Sequence, residues 1–276
     1  MQLSDIRIYP LKSGSGSSRE SAVVEPWGLA GDRRWAVIGA GGDDLRLGEF
    51  PKKLTVTARN LADGGLALTA PGMPDLTLPP AEGGQRVPVG FSGLDHAVLA
   101  APQAHGWFTW LLGHPARLVW LDDPRRRPVA PRHGGLPGDT VSFASDAPLL
   151  LTSLSSLKRL DEWIIEGAAE RGEDPPQPLE MARFRPSVVI DGAEPYEEDG
   201  WAEVRIGEVD FRVTVICDRC AVTMIDPATA MKGREPLRTL ARHRKWDGKT
   251  WFGIRLVPRN TGAISVGDPV TPLRRR

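Results

Sequence analysis

The chain has very little cysteine, two residues in 276, Cys217 and Cys220. That is too few for the disulfide framework of a small secreted domain. It has no net charge either, because Lys plus Arg and Asp plus Glu both number 35. That balance argues against a generic nucleic-acid binder, which carries a basic excess. No apolar run approaches the roughly 18 residues that span a bilayer. The opening MQLSDIRIYPLKS lacks the charged start, apolar middle and small-residue cleavage site of a secretory signal. These absences predict a cytoplasmic protein with neither a nucleic-acid nor a membrane partner. The glycine-rich GAGGDD (39–44) lacks the Lys-Ser/Thr and the following helix of a phosphate loop, and reads as a turn. The basic runs PRRRP (124–128) and RRR (274–276) read as solvated surface, with docking of an acidic redox partner as a second reading.

What the sequence does have is strand. IRIYPL (6–11), WAVIG (35–39), LTVTARN (54–60) and LALTA (66–70) are apolar or β-branched runs cut by turn residues, and the DGG at 63–65 predicts a hairpin. Further strands are expected over 187–191, 204–207, 209–216, 221–225, 256–258 and 263–268. Helical periodicity is confined to 103–113, 153–171 and 233–245, the last with Pro236 in its first turn. The pattern predicts a mainly β chain with α insertions (α+β), barrel-like rather than doubly wound. The Pro-, Arg- and Gly-rich stretch 122–138 is expected to connect a domain over 1–121 to one over 139–276.

The two cysteines sit together in CDRCAVT (217–223). A structural zinc site needs four ligands, and none of His96, His105, His114, His133 and His243 offers the required spacing. A thioredoxin-type dithiol opens a helix, whereas a strand-like run follows Cys220. Two readings then stand open. The thiols are buried and inert, or one of them, beside Arg219, binds a soft metal that arrives with its other ligands on an anionic cofactor.

Six segments in order bear on that choice: IYPLKSGSG (8–16), GLAGDRRWAVI (28–38), MARFRPSVVIDG (181–192), CDRCAVTMIDPAT (217–229), REPLRTLARHR (234–244) and GDPVTPL (267–273). Together they resemble the molybdenum-cofactor sulfurase C-terminal (MOSC) domain family, preceded by that family's N-terminal β-barrel domain. The resemblance implies two β-barrel-like domains and binding of the molybdopterin form of the molybdenum cofactor. It implies reduction of small N-hydroxylated compounds, and the family is also associated with pyridoxal phosphate binding. With no cysteine-rich iron–sulfur signature in this chain, the electrons are expected from a separate donor protein. Carried over residue by residue, the family pattern assigns molybdenum to Cys220. It assigns the cofactor's phosphate to Lys12, Ser13, Arg33, Arg185 and Arg219, and a proton relay to Asp226.

This chain departs from the family pattern in several places. Ser187 replaces an Asn, Met224 a Thr, LGE (47–49) a more polar segment, and Ile254-Arg255 a Gln-Asn pair. Each changes hydrogen bonding near the expected pocket, so substrate choice is expected to differ. The alternative from another class is a non-catalytic carrier or storage protein for the cofactor or its sulfur. A structural protein with a lapsed site is the third reading.

Overall fold

Buried apolar residues line one face of each long strand. Leu3, Ile6 and Ile8 are buried along Gln2–Ile8, and Val209, Phe211 and Val213 alternate along Val209–Asp218. Such strands bury one face and pair at their edges. The computed structural model describes residues 1–276. It arranges most of these strands in one nine-stranded sheet. The order is 270–275, 201–206, 209–218, 249–258, 149–153, 188–191, 2–8 and 17–19, with Lys245–Trp246 paired beside 249–258. Three smaller sheets complete the β structure, together with three helices: α1 (Pro102–Leu112), α2 (Leu154–Glu170) and α3 (Leu237–His243).

The chain is mainly β with α insertions, but none of its sheets closes into the expected barrel. The large sheet comes near. Gln2 bridges Pro269 beside its first strand, flanked by hydrogen bonds from the Leu3 N–H to the Asp268 carbonyl (2.9 Å) and from the Val270 N–H to the Met1 carbonyl (3.0 Å), but the contact stays a single bridge and not a ladder.

The first strand of the chain lies between the edge strand 17–19 and strands that all come after residue 148. Gln2–Ile8 runs antiparallel to Val188–Asp191, with Ile6 opposite Val188. Ser21–Glu25 likewise pairs with Gly262–Ser265. One hydrophobic core therefore joins Leu3, Ile6, Val24 and Leu29 to Trp201, Phe211 and Ile254. A second core joins Leu11, Trp35 and Leu66 to Trp107 and Phe108 of α1. Residues 122–138 are anchored between them. The buried Arg127 donates to the carbonyls of Ser92 (3.1 Å), Ser142, Ala144 and Ser145 (2.8 Å).

Several local expectations hold. Strands form at Trp35–Gly39 and Leu66–Thr69, and the hairpin at 63–65 is closed by Asp63 Oδ1, which accepts from the Gly65 N–H at 2.9 Å. Others do not. LTVTARN begins as a 3-10 turn at Pro51–Thr55 and becomes strand only at Thr57–Asn60. AVTMI is not a strand but a 3-10 turn, Ala221–Met224. The Cys220 carbonyl accepts from both the N–H (3.1 Å) and the hydroxyl (3.0 Å) of Thr223, which curls the chain. The helix expected from 233 starts at Leu237, where Glu235 accepts from the Thr239 N–H at 3.1 Å in the manner of a cap.

Because Ile6 is wholly buried among residues from the far half of the chain, Ile6→Ala is expected to cost about 2–5 kcal/mol of global stability. Urea denaturation followed by far-UV circular dichroism measures this. A loss below about 1 kcal/mol, the level of a surface substitution, would contradict the shared core.

Candidate functional site

A cavity of about 270 Å³ opens at the ends of several strands, and its walls come from distant segments. Lys12 and Ser13 follow the first strand, and Arg33 precedes the strand Trp35–Gly39. Arg185 and Ser187 precede the strand Val188–Asp191, and Cys217–Cys220 ends the strand Val209–Asp218. Of the site residues expected from sequence, Lys12, Ser13, Arg33, Arg185, Arg219 and Cys220 all line this cavity. Ser13 (φ 68°), Arg33 (φ 49°) and Arg185 (φ 56°) adopt the left-handed backbone that non-glycine residues avoid. Such conformations persist where the surrounding structure over-determines them, often at ligand sites. The ladder between 209–218 and 249–258 shifts register twice before Asp218, a bulged course that re-aims the strand end carrying both cysteines.

Six cations line the cavity: Lys12, Arg33, Arg183, Arg185, Arg219 and Arg255. Most are neutralised. Lys12 faces Asp44 at 3.8 Å, Arg33 pairs with the buried Asp32, and Arg183 pairs with Asp226 at 2.9 Å. Arg255 bridges Asp146 and Asp218, both at 2.8 Å. Arg185 and Arg219 have no carboxylate partner. Arg185 donates to the Gly14 carbonyl at 2.6 Å; Arg219 donates to the Phe184 carbonyl at 2.7 Å and to Cys217 Sγ at 3.0 Å, leaving its Nε buried without a partner. Burial pulls Arg185 down to about 10 and lowers Lys12 as well, although Asp44 opposes the latter. Two desolvated guanidiniums without counter-charges form a site for an anion with several acceptor oxygens.

The cysteines divide into two environments. Cys217 is buried and accepts the Arg219 hydrogen bond, whereas Cys220 is exposed and caps the 3-10 turn that follows it. No group of three or more His, Cys, Asp or Glu converges anywhere in the chain.

Asp226 lies outside the cavity lining. Its Oδ1 accepts from the Ala228 N–H (3.0 Å), the Thr229 N–H (2.9 Å) and the Thr229 hydroxyl (3.1 Å), while its Oδ2 holds Arg183. The Thr229 N–H in particular, with burial opposing, keeps Asp226 below the usual carboxylate range. Of the two carboxylates that do line the cavity, Asp218 is pushed up by burial but ends below its ordinary value, because Arg255 and Lys249 hold it ionised. Asp146 also meets His133 Nε2 at 3.2 Å. Arg255 faces His133 Nδ1 at 3.2 Å. Arg132 Nε donates to His133 Nε2 at 3.1 Å, so a guanidinium faces each nitrogen of this imidazole.

Sequence reasoning missed Asp32, Asp146, Arg183 and the part of Cys217 in holding Arg219. Asp32 alone left a local signal, as the acid preceding two arginines. In the basic runs, Arg125 pairs with Asp123, Arg126 with Asp122 and Asp95, Arg274 with Glu203 and Arg275 with Glu197, Arg127 is buried, and Arg276 donates to the Trp201 carbonyl with no carboxylate beside it.

Residues 138–271 match the MOSC domain, and residues 1–115 match the MOSC N-terminal beta barrel domain. The chain belongs to the family of MOSC-domain proteins that carry this N-terminal domain. It is 32% identical over 285 residues to mitochondrial amidoxime-reducing component 1 of Homo sapiens, covering 95% of this chain and 80% of that protein. It is likewise 32% identical over 270 residues to a molybdenum cofactor sulfurase of Oryza sativa subsp. japonica, covering 93% of this chain but 32% of that longer protein. The crystal structure of the YUAD protein from Bacillus subtilis aligns over 98% of this chain and 93% of its own with 12% identity and a TM-score of 0.37, too loose a match to carry an argument.

The two thiol environments predict two reactivities. In the native, ligand-free chain one thiol reacts rapidly with an aromatic disulfide reagent and the other only slowly, and Cys220→Ser removes the rapid phase. Loss of the rapid phase in Cys217→Ser instead would contradict the assignment of the exposed sulfur.

Proposed function

We propose that this protein is a molybdenum-cofactor-binding oxidoreductase that reduces N-hydroxylated small molecules with electrons from a separate protein. The observation that carries the reading is the meeting, in one cavity, of an exposed thiol and two guanidiniums that lack carboxylate partners. The donor set fits the cofactor. Cys220 is a soft ligand for a metal that brings its own dithiolene sulfurs. The orphaned Nε of Arg219 and the left-handed turns at Ser13 and Arg185 suit a phosphate dianion. The relative named an amidoxime-reducing component supports the substrate class.

When bound, the cofactor supplies two-electron chemistry at a metal able to take oxygen from an N–OH group. The protein's own residues do the rest. Cys220 holds the metal and does not act as a nucleophile. Arg185, Arg219, Lys12 and Ser13 fix the anionic end, and Arg33, neutralised by Asp32, orders Arg185 through its 3.1 Å hydrogen bond to the Arg185 carbonyl. Losing one charge-assisted fork removes about 1.5–3 kcal/mol of binding, so Arg185 and Arg219 together decide retention. Asp226 acts through Arg183, not as a direct proton donor. Ser187 takes up part of the polar function that its replacement of an amide removed, since its hydroxyl accepts from Arg33 at 3.4 Å and from the Leu150 N–H at 3.3 Å. We also infer that the cofactor is held in the cytoplasm between two lobes, joined by 122–138: one packed around Leu11, Trp35 and Phe108, the other around the large sheet, which takes in residues 2–8 and so shifts the boundary expected at 121.

One observation favours the second reading, a non-catalytic cofactor carrier: both carboxylates on the cavity wall are held in ion pairs, which leaves no free acid there. Molybdenum and pterin content, measured after expression in cells that make the cofactor, combined with turnover of benzamidoxime by reduced methyl viologen, separates the two. The reductase reading predicts near-stoichiometric metal and pterin, turnover in the native protein, and loss of bound metal in Cys220→Ala. Metal and pterin without turnover would establish the carrier, and a folded protein with neither would overturn both.

A further inference from the structure

Tyr9 stands behind the cavity wall rather than in it. Its side chain is 1% exposed, and its hydroxyl is buried without a hydrogen-bond partner. Burial raises the phenol above its ordinary range, against the pull of Arg185 and Arg33. A third guanidinium, that of Arg7, acts on the same phenol from the strand below. The guanidinium carbons of Arg33 and Arg185 each lie 4.5 Å from the centre of that ring.

The ring is seated with care. The Tyr9 N–H donates to Asp32 Oδ1 at 2.7 Å, and the Tyr9 carbonyl accepts from the Arg33 N–H at 2.7 Å. At Gly16 a Cβ would come within 2.3 Å of the ring, so any larger residue there would displace it. Of the two arginines, Arg33 has Asp32 as counter-charge and Arg185 has none. A carboxylate beside Arg185 would stabilise it but would also neutralise it, and would compete with an incoming anion. An aromatic face attracts the cation through its quadrupole and leaves the charge available.

We propose that Tyr9 is a positioning residue whose ring holds Arg185 beside Arg33, buried and un-neutralised, so that the cavity's affinity for a phosphate dianion depends on a side chain that does not touch it. This rests on the reading of the cavity as an anion site. Its distinctive consequence is that Tyr9 acts only through Arg185.

The test is calorimetric titration of inorganic phosphate into the ligand-free chain, native and in four variants. Tyr9→Leu, checked to keep the native circular dichroism spectrum, is expected to weaken binding about tenfold, the scale of a desolvated cation–π contact, whereas Tyr9→Phe keeps the ring and native affinity. Arg185→Gln removes the cation that the ring holds. Adding Tyr9→Leu to Arg185→Gln is expected to weaken binding no further, because the ring then has nothing left to act through. Native affinity in Tyr9→Leu, a loss in Tyr9→Phe equal to that in Tyr9→Leu, or losses that multiply in the double variant would each overturn the proposal. A native chain that binds no phosphate would overturn it as well, while the molybdenum and pterin measurement would still decide the proposed function on its own.

Discussion

The site depends on one piece of strand pairing. Gln2–Ile8 lies antiparallel to Val188–Asp191, with Ile6 opposite Val188 and the Arg7 N–H donating to the Ser187 carbonyl at 2.9 Å. That register brings the chain leaving the first strand, Tyr9 to Ser13, against the chain entering the second, Arg185 to Ser187. The contacts from Arg185 to Gly14 and from Arg33 to Arg185 and Ser187 follow from it. Because side chains alternate along a strand, a slip of one residue would turn every one of them to the other face. Burial of Leu3 and Ile6 in the core of the large sheet fixes the register.

Within that frame the cavity is governed by which charges lack a counter-charge. Buried ions are costly unless paired, and four of the six cations on the wall have a carboxylate near them. Arg185 and Arg219 are left on carbonyl oxygens, a sulfur and, for Arg185, an aromatic face. This also accounts for the two cysteines of CDRC. Cys217 is buried and holds one arm of Arg219, while Cys220 is carried past the bulged strand end into the open. The thiols share a turn but have different surroundings, which argues for separate roles over a shared redox pair.

The residues expected from the family resemblance come together in one cavity. Lys12, Ser13, Arg33, Arg185 and Cys220 sit in short motifs between strands, where local sequence and backbone constraint coincide. What could not be read is long-range. Asp226 looks like an acid near the metal, but its carboxylate is occupied by its own turn and by Arg183, 43 residues away. Tyr9 reads as strand core, since nothing local reveals that two arginines converge on its ring. The fold shows the same division. Apolar runs revealed nearly half of the strands, while Ser21–Glu25, His96–Leu99, Ala116–Trp120, Leu149–Ser153 and Val270–Arg275 were not anticipated. The pairing of 2–8 with 188–191, and the single bridge between Gln2 and Pro269, depend on partners more than a hundred residues distant. The turn at 221–224 was misread because its β-branched residues suit a strand, while Thr223 folds back onto the Cys220 carbonyl.

The central claim is that Cys220 is the protein's single ligand to a metal held otherwise by its cofactor. Molybdenum-edge X-ray absorption on cofactor-loaded native protein, Cys217→Ser and Cys220→Ser tests it most directly. The account predicts the same sulfur count for the native protein and Cys217→Ser, and one sulfur fewer in Cys220→Ser, with an oxygen in its place. An unchanged sulfur shell in Cys220→Ser, or the loss of a sulfur in Cys217→Ser, would contradict it.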